Sequence, residues 1–202
     1  MLTGCTSEIT LELKKDGQVD ISFSGSAGTA FATLINAAAG NSTAADKSSA
    51  SSVIFDTKEI EYEMSSNGFT KVKAASKNGS DLTVSMTDKN RKSALFTSGV
   101  ASVKDGRLTA VLSPQNLVKF YKTADSQTVM FLDMLLAPIF NDEKMSEEEY
   151  LEVLASFYGE EIADEMKKSN FRITLKNPDG TQTIKSISFV KLLTLDEVIY
   201  LR

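Results

Sequence analysis

Carboxylates are the most concentrated reactive groups in this sequence. Ten of them lie between residues 142 and 165: Asp142, Glu143, Glu147, Glu148, Glu149, Glu152, Glu160, Glu161, Asp164 and Glu165. Paired carboxylates can bind Ca²⁺ or work together as a general acid and base. The segment has no Asp-x-Asx-x-Asx-Gly calcium loop, and its residues 147–149 fall in the first turn of a predicted helix, where negative charge is favourable. We therefore interpret the acidic block as a solvated helical face, and we predict no metal site and no catalytic carboxylate.

Ser188 and Lys191 match the Ser-x-x-Lys pattern of serine acylating enzymes. In those enzymes the pattern begins a helix, whereas this segment is predicted to be a strand, which turns residues three apart to opposite faces. The sequence has no histidine, and its single cysteine is Cys5. Histidine bases, Ser-His-Asp and Cys-His catalysis and Cys/His zinc sites are therefore excluded within one chain. Gly-x-Gly-x-x-Gly and Walker loops are also missing, so we predict a protein that is not an enzyme and has no cofactor.

Cys5 ends the short motif Leu-Thr-Gly-Cys at residues 2–5, and polar residues follow it. This motif resembles the lipobox of bacterial lipoproteins. The resemblance implies a signal peptide upstream, cleavage before Cys5, a diacylglycerol on the cysteine sulfur, and firm anchoring by several acyl chains. It covers four residues and implies nothing about the fold. The alternative is that Cys5 is an ordinary small buried residue.

The elements that position these groups are predicted to form one domain, because 202 residues is an ordinary domain length. We expect residues 1–8 to be the lipobox and a tether. Residues 9–202 would form a single α+β domain with a flexible loop near residues 41–52, where the sequence is small and polar. The net charge of -5 and the scattered lysines argue against a nucleic-acid partner.

Alternating apolar and polar residues predict strands that pair as hairpins. One hairpin covers residues 9–24 around Asp16-Gly17, and another covers residues 100–112 around Asp105-Gly106. Asp-Gly is typical of a type I′ turn, which needs positive φ at both central residues. Further strands are predicted near residues 69–76, 81–87, 171–175 and 181–190, and residues 198–201 form either a strand or a helix. Hairpins with helices grouped between them predict an antiparallel sheet with a helical block packed on one side.

Helices are predicted at residues 29–39, after the caps Asp56 and Ser113, and over most of residues 125–167. In the last of these, Pro138 should kink or end the helix, and Ser146 should begin a capping box.

The most apolar run in the chain contains Met130, Phe131, Met134 and Leu135. These residues form either plain core or the wall of an apolar pocket, because methionine side chains are flexible and polarisable. Asp133 lies among them, so its side chain must leave the apolar face or find a partner.

Three hypotheses for the function follow. The first is a membrane-anchored envelope lipoprotein that binds an apolar ligand, either a lipid or a peptide. The second is a structural or protein-interaction lipoprotein of the bacterial envelope, and the third is a hydrolase that uses paired carboxylates. In the first two, the protein acts outside the cytoplasm, held to the membrane by acylated Cys5.

Overall fold

The computed structural model describes residues 5–38, 55–124, 129, 132–141 and 143–202, and the loop predicted near residues 41–52 lies outside these ranges. The strands are β1 (Thr6–Leu13), β2 (Val19–Ser26), β3 (Thr70–Ala75), β4 (Asp81–Asp88), β5 (Ala101–Lys104), β6 (Arg107–Leu112), β7 (Asn170–Lys176), β8 (Gln182–Ser188) and β9 (Ile199–Leu201). The helices are α1 (Thr29–Ala38), α2 (Thr57–Ser66), α3 (Ala94–Thr97), α4 (Pro114–Tyr121), α5 (Glu147–Tyr158), α6 (Glu160–Lys168) and α7 (Phe189–Leu193), with a 3-10 helix at Pro138–Phe140.

The strands form two sheets, and the predicted α+β class with a mainly antiparallel sheet is confirmed. A six-stranded sheet has the order β3-β4-β2-β1-β7-β8, and a three-stranded sheet has the order β5-β6-β9. All neighbouring strands are antiparallel except β1 and β7. This parallel pair joins the beginning of the domain to its last third. Because β1 begins at Thr6, residues 6–8 belong to the sheet and not to the predicted tether.

The two predicted hairpins are present, but their turns differ. Asp105 and Gly106 have φ values of 52° and 74°, which is the predicted type I′ turn. At the other turn, Gly17 has a φ of 84° while Asp16 does not have a positive φ. The Gly17 N–H donates to the Lys14 carbonyl at 2.9 Å, which makes a type I turn closed by a left-handed glycine. The type I′ prediction is therefore wrong for Asp16-Gly17, because this loop is one residue longer.

The predicted helix caps at Asp56, Ser113 and Ser146 are confirmed. The Asp56 carboxylate accepts the N–H groups of Lys58 and Glu59 at the start of α2. The Ser113 side chain caps α4, and Ser146 makes the reciprocal capping box with Glu149 at the start of α5. These caps satisfy N–H groups that have no partner within their own helix.

The prediction of helix over most of residues 125–167 is wrong for residues 135–141 and 143–146. The chain leaves the helix at Leu136, whose φ is 51°, and then forms the 3-10 helix that begins at Pro138. The carbonyl groups freed by this break find partners on α5. The Tyr158 hydroxyl donates to the Met134 carbonyl, and the Tyr150 hydroxyl donates to the Leu135 carbonyl, both at 2.7 Å.

One apolar core joins both sheets to the later helices. It includes Leu11 and Leu175 from the six-stranded sheet, Leu108 from the three-stranded sheet, Leu154 from α5 and Val190 from α7. The other face of the six-stranded sheet is polar, and its exposed side chains include Thr6, Ser22, Ser24, Thr83 and Ser85. The helical block therefore covers one side of this sheet and leaves the other side to solvent.

Candidate functional site

Cys5 is half-buried and held at the start of β1 by its own backbone. Its N–H donates to the Ser169 hydroxyl at 2.8 Å, and its carbonyl accepts the Asn170 N–H at 3.1 Å. The Cys5 sulfur accepts the Gly28 N–H at 3.4 Å, and its thiol donates to the Glu165 carboxylate at 3.7 Å. The residue that the sequence marks for acylation is therefore fixed between α1, α6 and β7.

Glu165 is fully buried, although its sequence neighbourhood predicted a solvated acidic face. Its two carboxylate oxygens accept the N–H groups of Ala30 at 2.9 Å and Phe31 at 3.1 Å. These N–H groups belong to the first turn of α1, where the helix dipole also favours a negative charge. A side chain of α6 thus caps a different helix.

Gly28 makes this cap possible. A Cβ atom at position 28 would lie 2.1 Å from the Glu165 carboxyl carbon, closer than any real contact. The sequence did offer a signal for Glu165, because it lies three residues after Ile162 and one before Met166, on the side of α6 that faces the core. Because Glu165 belongs to a longer run of acidic residues, it was interpreted as part of a solvated helical face.

The Cys5 thiol has little reactivity of its own. Burial raises the pKa of this thiol above its ordinary value of 9.0, and the nearby Glu165 carboxylate raises it further, while hydrogen bonds from Gly28 and Ser169 only partly offset these effects. The thiol is therefore protonated at neutral pH. Because the thiolate is the nucleophile, this environment does not fit a catalytic cysteine.

The predicted apolar pocket is only partly within the described residues. Met130 and Phe131 lie outside them. Leu135 is 5% exposed and belongs to the core, and Met134 is half-buried. The Asp133 side chain leaves the apolar face, as expected, and accepts the Tyr121 hydroxyl at 2.5 Å. The pocket at these four positions stays a prediction.

Two open grooves lie on either side of α5. The first has a volume of about 430 Å³ and runs between α5 and α6, with Leu151, Ala155 and Ala163 among its lining residues. The second has a volume of about 440 Å³ and is lined by residues including Met145, Val153 and Phe157. Both grooves contain Glu152 and Ser156. Met134 and Leu135 line neither groove.

The Ser-x-x-Lys segment passes from the end of β8 into a helix, so the prediction of strand is confirmed for Ser188 and wrong for residues 189–191. Ser188 caps α7, and its hydroxyl oxygen accepts the Lys191 N–H at 3.1 Å. The Lys191 ammonium is bonded to Glu197 at 2.8 Å, and this hydrogen bond raises the pKa of the lysine. A general base needs a lowered lysine pKa, so the pair is not arranged for acylation chemistry.

Within the described ranges, no group of three or more His, Cys, Asp or Glu side chains is placed to hold a metal ion. Among the described residues, no helix is long enough and apolar enough to span a bilayer. Comparison with known proteins gives no match to a family model, to a curated protein or to a solved structure.

Proposed function

We propose that this chain is a bacterial envelope lipoprotein, anchored by acylated Cys5, whose domain is a non-enzymatic interaction module. The anchor rests on the Leu-Thr-Gly-Cys motif at residues 2–5. Signal peptidase processing would make Cys5 the first residue, and two or more acyl chains give stable membrane attachment. Once acylated, the sulfur no longer donates to Glu165, but that carboxylate keeps its two N–H donors on α1.

The interaction role rests on one surface, which we name the α5 face. It comprises both grooves and the exposed side of α5 between them, with Met145, Glu149, Glu152, Val153, Ser156, Phe157, Glu160 and Asp164 as its main residues. Phe157 is 69% exposed and lines the second groove together with Met145 and Val153. An exposed aromatic side chain beside grooves that contain both apolar and polar groups is typical of a protein-binding surface.

The charges of the α5 face indicate the chemistry of its partner. Four carboxylates line the two grooves, from Glu149, Glu152, Glu160 and Asp164, against the two ammonium groups of Lys144 and Lys167. A surface that combines apolar side chains with an excess of carboxylates is complementary to a basic amphipathic helix. We assign a basic amphipathic segment of another envelope protein as the partner.

Acylation is tested by labelling with radioactive palmitate in a host that processes lipoproteins, with the native signal sequence upstream. We expect label in the wild type and none in Cys5→Ser. Serine preserves a hydroxyl donor toward Glu165, so the variant should fold. Equal labelling of both proteins, or of neither, contradicts the anchor.

The α5 face is tested with two designed helical peptides that share one leucine pattern and carry either lysine or glutamate on the other face. We expect the lysine peptide to bind more tightly and to weaken as salt rises. Phe157→Ser should reduce its affinity about tenfold or more, because exposed aromatic anchors dominate such interfaces. Tyr62→Ser is the matched control, since Tyr62 is 74% exposed on α2. Equal binding of the two peptides, or equal effects of the two variants, contradicts the assignment.

A further inference from the structure

The distance between the anchor and the folded domain sets how the domain can move on a membrane. Strand β1 begins at Thr6, directly after Cys5. The Cys5 backbone is also bonded on both sides, to the Ser169 hydroxyl and to the Asn170 N–H. No mobile linker separates the Cys5 sulfur from the six-stranded sheet.

The strand register shows which surface lies at the level of Cys5. Thr6 pairs with Ser26, which pairs with Asp81, and Thr6 also pairs with Asn170, which pairs with Ser188. These residues are the ends of five neighbouring strands. We name this surface the anchor end. It is as wide as five strands, or about 19 Å across their four spacings.

We propose that the anchor end lies directly against the lipid bilayer, so that the domain has one fixed orientation on the membrane. The inference rests on the proposed acylation of Cys5. An acyl chain leaving the Cys5 sulfur brings the whole row of strand ends to the level of the lipid headgroups. The opposite end of β1, at the turn that holds Lys15, then stands about 26 Å above the surface, since eight residues rise about 3.3 Å each.

Exposed charges at the anchor end favour an anionic bilayer. Lys167 and Lys168 lie in the last turn of α6, next to Ser169, and Lys77 lies in the loop before β4. The Asp81 carboxylate is turned into that loop, where it accepts the N–H groups of Lys77 and Asn78. The acidic first turn of α6 lies about 12 Å from its last turn along the helix axis. Lys168 lies 4.0 Å from the Asp164 carboxylate, and the three ammonium groups of Lys77, Lys167 and Lys168 can attract anionic headgroups.

The orientation can be measured with a fluorophore attached to a single introduced cysteine, because acylation blocks Cys5. Asn170→Cys places the fluorophore at the anchor end, and Lys15→Cys places it at the opposite end of β1, with both positions exposed. Acylated protein is inserted into vesicles of phosphatidylcholine and phosphatidylglycerol that carry a headgroup quencher. We expect strong quenching at position 170 and little at position 15. Equal quenching at the two positions overturns the proposal, because it shows a domain that tumbles on its anchor.

The lysines are tested in the same vesicles with Lys167→Gln/Lys168→Gln, which keeps good helix formers in α6. The control is Lys89→Gln/Lys92→Gln, two exposed lysines that follow Asp88 at the opposite end of the sheet, where Asp88 pairs with Val19. We expect the α6 pair, and not the control pair, to reduce the difference in quenching between the two labels. We expect each lysine to increase the affinity for the membrane roughly fivefold. Equal effects of the two pairs overturn the role of the lysines. Absence of the palmitate label in the wild type instead contradicts the acylation itself.

Discussion

At the scale of single residues, the decisive group is the buried Glu165 carboxylate. A buried charge is costly unless it is paired or hydrogen-bonded. Here the two N–H groups of α1 and the Cys5 thiol supply three donors. The contact ties α1, α6 and the start of β1 together, so changes at Cys5 and changes in the helices are physically linked.

Gly28→Ala should be strongly destabilising, because the added Cβ would lie 2.1 Å from the Glu165 carboxyl carbon. The Gly28 backbone has no positive φ, so the clash alone sets the cost. Displacing the carboxylate leaves N–H groups unpaired, and we expect a loss of about 2–4 kcal/mol in the free energy of unfolding. Urea denaturation measures this loss.

The control for Gly28→Ala is the same change in a Glu165→Ala background. With the carboxylate removed, alanine at position 28 has no group to clash with. Adding Gly28→Ala to Glu165→Ala should therefore lower the free energy of unfolding by less than about 0.5 kcal/mol. If the losses caused by Gly28→Ala and by Glu165→Ala are additive in the double variant, the contact with the Glu165 carboxylate is not the reason that position 28 needs glycine.

Asp88 should make stability depend on pH. Its carboxyl is 4% exposed, and burial alone raises its pKa, but hydrogen bonds from Ser93, Lys92 and Arg91 together bring the pKa below the ordinary 3.8. A lowered pKa in the folded state means that the stabilisation is present above about pH 4 and is lost as the pH falls through the folded value.

We therefore expect Asp88→Asn to lower the free energy of unfolding at pH 7 by about 1–3 kcal/mol. Its difference from the wild type should shrink at pH 3. Urea titrations at both pH values test this, with the exposed Asp105→Asn as the control. A difference that is the same at pH 3 and pH 7 contradicts the assignment.

The sequence predicts exposed side chains better than buried polar ones. The caps at Asp56, Ser113 and Ser146 depend on neighbours within three residues, so they could be predicted. The partners of Glu165 are about 135 residues away, and no local pattern contains them. The Ser188 cap was missed because its helix has only five residues, too few to show a helical period.

At the scale of elements, the two Asp-Gly hairpins make a natural comparison. Asp105 has a φ of 52°, in the left-handed region, while Asp16 does not have a positive φ. The same dipeptide thus occupies different positions of two turn types. Strand pairing could be predicted from the alternation and the dipeptide, but the turn type depends on loop length, which the strand ends determine.

Asp105→Val should therefore cost about 1–2 kcal/mol of stability, because a β-branched residue resists the left-handed conformation. Asp16→Val should cost clearly less, since it loses two exposed hydrogen bonds, from the Gln18 N–H and from the Gln18 side-chain amide. Thermal unfolding of the two variants tests the contrast. Equal losses would mean that turn type does not control these hairpins.

Local sequence patterns do not predict the order of the strands in the two sheets. The hairpins β1–β2, β5–β6 and β7–β8 could be predicted from neighbouring residues. The parallel contact between β1 and β7 and the separation of β5-β6-β9 into a second sheet depend on packing across the whole chain. The break after Met134 also depends on packing, because two tyrosines of α5 satisfy the carbonyl groups that it frees.

At the scale of the whole molecule, the two sheets share one core. Leu11 and Leu175 from the six-stranded sheet belong to the same buried cluster as Leu108 and Leu201 from the three-stranded sheet. In smaller domains, elements that share a buried core unfold together, and we expect the same coupling here. The C-terminal strand β9 should therefore support strands with which it does not pair.

Leu201→Ala tests this coupling. Leu201 is 1% exposed, and its removal should cost about 2–5 kcal/mol because it leaves a cavity. The control is Tyr200→Ala on the same strand, where the side chain is 56% exposed and its cation–π contact with Arg202 is a weak surface interaction. We expect this control to cost less than about 1 kcal/mol.

Hydrogen exchange then shows where the loss from Leu201→Ala is felt. If the core is one unit, the best protected amides of β1 and β2 lose the same free energy as the global unfolding reaction, although β9 pairs only with β6. If protection in β1 and β2 is unchanged while β5 and β6 exchange faster, the two sheets open independently. In that case a force applied at Cys5 would reach the six-stranded sheet without disturbing the other, because Cys5 continues into β1 and is hydrogen-bonded to Asn170 of β7.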